Sequence, residues 1–398
     1  MPILHSRPKN RESSLSAEVF RPKDRAYRWV FDFRLKVQAM VSLIAVQVHA
    51  SKPPGRMQMP SSAVVTLSDP DEYAAAFRNA KVEITVTGRG QFTAELTSID
   101  LQRLQMQRYY ENLPRVVHWT GTSERAVIAF RTEPGPSLVW GGAEMLPNNL
   151  VRQGEGSNFQ RSSGSVSWAT MSLPVADMVI AGAAMAGLDL APPKYPVMLT
   201  PSPFAIAKLQ RLSAAVGQLA KHAPEIIDCP EAARGLEQPV IEAMVDCLGS
   251  SKDHGKSRAQ AQHAIVMDRF WQAIEQHPGE PLYIVQICKA IGVSERALRM
   301  CCQEYLGTSP KRYLLLRRMH QARRALREAA DTTTVATIAT QFGFWDLGRF
   351  AINYQALFGE SPSGTLRRSS ELVDHRSRRV CFTEIGRTWS GFCQQLSV

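Results

Sequence analysis

Two glycine-punctuated helical pairs, about 50 residues apart in the last third of the chain, restrict the fold more than anything else in the sequence. The first runs from Ile284 to Gly292 and Ser294, then continues as a helix from Glu295 towards Leu306. The second runs from Val335 to Gly343-Phe344, continues as a helix from Asp346 towards Phe358, and closes with Gly359-Glu-Ser-Pro362. In each, an apolar helix stops at a glycine, which takes the positive φ of a tight turn at little steric cost. Ser294 and Asp346 are the side-chain types that cap the helix that follows. A unit of this kind presents its second helix to the DNA major groove. Two such units in one chain can read two successive groove faces without a partner.

Helical spacing sorts the residues of each unit. In the first, Leu282, Ile284, Ile287, Ile291, Val293, Leu298 and Cys302 form an apolar stripe, which leaves Glu295, Arg296, Arg299, Met300 and Gln303 outward. In the second, Val335, Ile338, Ala339, Phe342, Phe344, Leu347, Phe350, Tyr354 and Phe358 form the stripe. Trp345, Asp346, Arg349, Ile352 and Asn353 are then the candidates for base or phosphate contact. Arginine pairs bidentately with guanine or clamps phosphate, and asparagine pairs with adenine; Ile352 offers at most a methyl contact. Packing at the turn is the competing expectation for Trp345. Between the units, Ser309 to Arg327 carries seven Lys/Arg and no acid, including Lys311 and Arg312. Pro310 suits the first turn of a helix. At ~1.5 Å per residue that helix spans roughly 27 Å, enough to hold two reading heads about one DNA turn (~34 Å) apart. Its basic face is expected to lie along phosphates.

The charge distribution agrees. Net charge is +11, with 11 Lys/Arg against 4 Asp/Glu in residues 1–56, 18 against 20 in 57–262, and 18 against 12 in 263–398. A basic end carrying groove-reading helices suits phosphate contact. The seven cysteines show no C-x-x-C pair and no zinc-ligand spacing, and no secretory signal precedes them. Reduced thiols in the cytoplasm are expected. The longest mostly apolar run, Val37 to Val48, is about a dozen residues where a membrane span needs roughly 20. No membrane partner is expected.

The sequence divides into five segments. Residues 1–60 read as a basic extension without regular structure, in which Met40, Met57 and Met59 are alternative starts. Residues 61–248 read as a sensing and dimerisation domain. Within it, Lys81–Val86, Gln91–Leu96, Leu101–Tyr110, Val116–Trp119, Ala126–Phe130, Ser137–Trp140 and Ser165–Ala169 have the texture of short strands in a barrel or sandwich. Ala176–Leu188, Pro203–His222 and Gln238–Leu248 have helical spacing. The polar stretch 249–262 reads as a linker, 263–368 as an all-α domain opened by a helix at His263–His277, and 369–398 as a tail.

Two helix-turn-helix units joined by a long helix resemble the AraC/XylS family of bacterial transcription regulators. The positions that carry the resemblance are Ile338-Ala339, Gly343-Phe344, Phe350, Tyr354, Phe358-Gly359 and Ser361-Pro362, with Ser309-Pro310, Tyr313-Leu314, Arg318 and Ala322 in the joining helix. The resemblance implies an α+β multidomain protein: a β-barrel-like (cupin-like) sensing domain with helices, then the all-α DNA-binding domain. It also implies an effector-responsive regulator of promoter DNA, with RNA polymerase, a small-molecule effector and a second copy as further partners. Metal cupins hold their ion with closely spaced histidines. Here the β-region has only His118, so neither metal nor cofactor is expected. Trp119, Trp140, Trp168, Arg108 and Tyr110 are candidates for an effector pocket, with plain core packing as the alternative. The expected protein is not an enzyme. The alternatives are a cupin-like enzyme and an alkyl-transfer repair protein fused to this domain, but Cys301-Cys302 lie inside a reading helix, with Cys302 on its core side.

Overall fold

The computed structural model describes residues 59–368, apart from 79, 122–123, 155, 254–256, 278–281 and 330–331. The tail at 369–398 and all but the last two residues of the extension at 1–60 therefore lie outside the described residues.

The β-rich region forms two antiparallel sheets that face each other. The larger has the order β1 (Ser61–Leu67), β3 (Ala94–Leu101), β4 (Leu104–Glu111), β11 (Val166–Pro174), β6 (Arg125–Arg131), β9 (Leu150–Arg152), β12 (Val197–Thr200) and β13 (Lys252–Asp253). The smaller has the order β2 (Ala80–Val86), β5 (Arg115–Gly121), β10 (Ser157–Ser162), β7 (Leu138–Trp140) and β8 (Ala143–Glu144). The two-sheet arrangement is compatible with the cupin-like expectation, yet the strands do not close into a barrel. Strands β7, β8, β9, β12 and β13 are only two to four residues long, too short to carry a ladder from one sheet round to the other. Alternating apolar residues of both sheets, among them Ile84, Val117, Trp119, Trp140 and Trp168, fill the space between them.

Local chemistry explains where the elements begin and end. The run expected as one strand over 101–110 is broken by a two-residue reversal at Gln102-Arg103, where Gln102 adopts φ 63°. Glu237 holds that turn, accepting from the Arg103 and Leu104 amides at 2.7 and 2.9 Å. Helix α1 (Pro70–Ala75) is capped by Asp69, whose carboxylate accepts from the amides of Asp71 and Glu72. Helices α2 (Val175–Ala186), α3 (Pro203–His222), α4 (Pro224–Asp228) and α5 (Pro230–Gly249) follow, and α3 and α5 cover the outer face of the larger sheet. Helix α5 starts eight residues before the expected Gln238 and runs through Pro239.

The stretch 249–262 is not wholly a linker. Helix α6 (Arg258–Glu275) begins inside it, because Ser257 and Gln260 form a reciprocal capping box. Then come α7 (Ile284–Ile291), α8 (Glu295–Leu306), α9 (Pro310–Arg327), α10 (Val335–Gln341) and α11 (Leu347–Phe358). The expected turn glycines sit in the left-handed region, Gly292 at φ 72° and Gly343 at φ 75°.

Helix α9 belongs to two cores. Tyr313 and Leu314 pack with Phe270, Ile287, Ile291, Leu298 and Cys302, whereas Leu316, Met319, Ala322 and Leu326 pack with Ile338, Phe342, Phe350, Tyr354 and Leu357. Leu347, expected in the second core, is 42% exposed, and Leu357 occupies that side instead. Val116 and Phe159 of the smaller sheet join the first helical core, so that sheet is buried on both faces.

Candidate nucleic-acid interface and the wall behind it

Each candidate reading helix has a clean division of faces. On α8, Leu298, Cys301, Cys302, Tyr305 and Leu306 are buried, and Glu295, Arg296, Arg299, Met300 and Gln303 are exposed. On α11, Phe350, Tyr354 and Leu357 are buried, and Arg349, Ile352 and Asn353 are exposed. Trp345 is 79% exposed and does not pack at the turn. Asp346 stands just before α11 as its cap, its Oδ1 accepting from the Arg349 amide at 2.9 Å. Both helices thus start on a side-chain cap, Ser294 accepting from the Ala297 amide at 3.2 Å in the other. Arg299 pairs with Glu295 one turn earlier at 2.7 Å, and Arg349 lies 3.9 Å from Asp346. Both pairs are well exposed, so each arginine is free to exchange its partner for a base or phosphate at small cost.

The buried thiols fit a packing role. Burial pushes Cys301 up to about 11 and Cys302 higher still, which removes the thiolate that nucleophilic chemistry needs.

The joining helix departs from expectation. Of its seven basic residues, Lys311 and Arg312 are exposed; the others are engaged inside the protein. Arg317 grips Glu83 of β2 at 2.6 and 3.0 Å and reaches the Ile274 carbonyl at 3.2 Å. Arg323 pairs with Asp69 and Glu360, Arg324 with Asp71, and Arg327 with Asp69 and Glu72. Arg318 lies 5.4 Å over the Phe344 ring. Carboxylates around α1 and β2 therefore occupy the face expected to meet phosphates. Burial raises the Asp69 carboxyl, but Arg323 and Arg327 more than offset this and hold it below its ordinary value.

Aromatic packing completes the junction. His118 stacks on Trp271 at 3.6 Å, and the Arg317 guanidinium lies 5.0 Å over the same Trp271 ring. Burial first, then Arg317 and Lys81, bring His118 down to about 3. His320, whose Nε2–H donates to the Val86 carbonyl at 3.0 Å, is brought down to about 4, chiefly by burial. Both histidines are neutral when folded, and the unfolded chain binds more protons below its ordinary value of 6.5. Their contribution to stability is thus fully present above about pH 6.5 and is lost as the pH falls towards 4 and 3. Thermal melts between about pH 7.5 and about pH 4.5 are expected to show Tm falling with acid, less steeply in a His118→Phe variant. A melting point independent of pH over that range would contradict the assignment.

Strand alternation makes the smaller sheet a wall one residue thick. On β2, Ala80 and Val82 line a cavity between the sheets, while Lys81 and Glu83 hold Glu275 and Arg317 of the helical domain. On β5, Val117 and Trp119 face the cavity, and Val116 and His118 face the helices. On β10, Gln160 faces inward, while Ser157 bonds Asp268 and Arg161 reaches the Glu304 carbonyl.

Of the expected pocket residues, Trp119, Trp140 and Trp168 line that cavity. Arg108 and Tyr110 do not, because β4 alternates the other way. Arg108 reaches Ser213 of α3 at 2.9 Å, Tyr110 is exposed, and Tyr109 faces inward instead. Arg78, Arg125, Gln153 and Gln160 also line the cavity and were not legible as such in the sequence.

A helix-turn-helix domain family matches residues 287–368. The chain is 42% identical over 150 residues to the "Probable thc operon regulatory protein" of Rhodococcus erythropolis, covering 35% of this chain and 45% of that one. It is 34% identical over 107 residues to the "XylDLEGF operon transcriptional activator" of Pseudomonas putida, covering 27% of this chain and 33% of the relative. The chain thus spans less than half the length of these curated relatives. A solved structure of "a probable AraC family transcriptional regulator" from Rhodopseudomonas palustris is 32% identical, covering 26% of this chain and 96% of that one, with a TM-score of 0.24.

Proposed function

We propose that the chain, whose residues 287–368 match a helix-turn-helix domain family and whose carboxyl-terminal part is similar to operon regulators, is a sequence-specific, effector-responsive regulator of promoter DNA of the AraC/XylS kind. The observation that carries this reading is the pair of capped helices, α8 and α11, each with an exposed face bearing arginine. Glu295, Arg296, Arg299, Met300 and Gln303 enter one groove segment in this proposal, and Trp345, Asp346, Arg349, Ile352 and Asn353 the next. Lys311 and Arg312 contact phosphate. The intersheet cavity is the effector site, and no catalytic step is involved. A second copy docks through α2, where Ile180 is 66% and Met185 42% exposed. RNA polymerase and a cytoplasmic location follow from the regulatory role; no described helix is long and apolar enough to cross a membrane.

Footprinting on the protein's own upstream regions tests the reading. One or two protected sites spanning adjacent helical turns are expected, and uniform weak protection would sink it. Affinity is expected to fall steeply with salt. Replacing Lys311 and Arg312 by Ala should reduce the salt slope by about one per residue. Replacing Arg324, already neutralised by Asp71, should leave the slope unchanged.

A further inference from the structure

The cavity between the sheets has a hydrogen-bonding character that restricts its ligand. Its apolar walls are largely aromatic: Phe77, Tyr109, Trp119, Trp140 and Trp168. Tyr109 stacks on Trp168 at 4.1 Å, and Trp140 meets Trp119 and Trp168 edge-on at 5.8 Å. Four buried polar atoms on the lining residues have no partner among the described residues: Trp119 Nε1, Trp140 Nε1, Gln160 Nε2 and Gln153 Oε1. A buried polar group left unpaired is costly, so three donors and one acceptor here mark out complementary groups on a ligand. Neighbouring polar groups are already used. Gln160 Oε1 accepts from Arg115 at 2.8 Å, and Gln107 Oε1 accepts from the Arg78 amide at 2.9 Å.

Charge narrows the class further. Among the described residues no carboxylate lines the cavity, so none of them would neutralise a cationic amine. The two lining cations are engaged. Arg78 holds both oxygens of Asp100 at 2.6 and 2.7 Å, and Arg125 is bonded to Ser172 Oγ at 2.9 Å, the Ser172 carbonyl at 2.8 Å and the Arg103 carbonyl at 2.5 Å. A carboxylate ligand would have to be desolvated against indole and amide N–H groups, or displace those bonds. The void measures about 70 Å³, less than the roughly 150 Å³ that encloses a benzene ring, and it opens towards solvent, so a ligand is limited to one ring that extends into the mouth.

We propose that this cavity binds a neutral, planar, single-ring aromatic molecule carrying a carbonyl beside an N–H or O–H. The carbonyl accepts from the indole and Gln160 donors, and the ligand's own donor meets Gln153 Oε1. The proposal rests on the effector-responsive reading above, and it names the chemistry of that site.

Calorimetric titration of the full chain, without DNA, tests it with benzamide as the probe. Saturable binding is expected, with benzoate weaker by about tenfold or more for want of a free cation. Cyclohexanecarboxamide, which keeps the amide and loses the flat ring, is expected to bind several-fold more weakly, on the order of 2–10-fold. Trp119→Phe and Trp140→Phe keep the aromatic walls and remove one donor each, and each should weaken benzamide by about 2–10-fold. Melting curves of both variants without ligand check that the fold is intact. No benzamide binding, benzoate or the saturated ring binding as tightly, or unchanged affinity in both folded variants would overturn the proposal. A footprint that persists while benzamide fails would reject this ligand class and leave the regulator standing; loss of the footprint would reject the regulator whatever benzamide does.

Discussion

Arg115→Met is expected to lose about 3–5 kcal/mol of stability, because it strands a buried carboxylate. Arg115 and Glu111 are 1% and 0% exposed, paired at 3.0 Å. Glu111 also accepts from Tyr73 Oη at 2.6 Å and Trp168 Nε1 at 3.2 Å, and Arg115 donates to Gln160 at 2.8 Å. Burial first, then the Glu111 charge, push the Tyr73 hydroxyl well above its ordinary value, so it stays a donor to that carboxylate. Removing the guanidinium leaves Glu111 with two neutral donors and no counter-charge. Each kcal/mol lost should lower Tm by about 2–4 °C in a domain of this size. The double variant Glu111→Gln, Arg115→Met should recover part of the loss, since the orphaned charge supplies most of it. A single variant within about 1 kcal/mol of the parent would show that the network contributes little.

The second large effect concerns DNA. Arg299→Ala and Arg349→Ala should each weaken binding to a protected site by about 1–3 kcal/mol if each contacts a base. The two arginines sit in different helices with separate cores, so the losses should add within about 0.5 kcal/mol in the double variant. Each change should also relax sequence preference at its own end of the site and leave the other end alone. Titrations on labelled promoter fragments measure this, and unchanged affinity in both single variants would remove these residues as readers.

The exposed faces proposed to meet DNA were legible as exposed because helix periodicity, a capping side chain and a turn glycine are all local signals. Ser294, Gly292, Gly343 and the buried Ile338, Phe350 and Tyr354 could be placed from spacing alone. The fate of the basic helix could not. Sequence shows that Arg317, Arg323, Arg324 and Arg327 are cationic, but their partners Glu83, Asp69, Asp71 and Glu72 lie more than 230 residues earlier. Only the fold brings them together. The same limit explains β4. Arg108 and Tyr110 read only as candidates for the pocket because the hairpin at Gln102, made without glycine, leaves no local mark of where the strand begins and hence of which parity faces the cavity. Ser257 misled in the opposite sense, since a polar serine that caps a helix looks like linker until its partner Gln260 is noticed.

A partition with furniture fixed to both sides cannot be refitted on one side alone. On the proposed function, if filling the room between the sheets changes how firmly β2, β5 and β10 hold the two helix-turn-helix units, then occupied promoters must tighten or loosen the hold on the small molecule by the same factor. Cells with many copies of the target sequence would then appear, to that molecule, to contain a different receptor from cells with few.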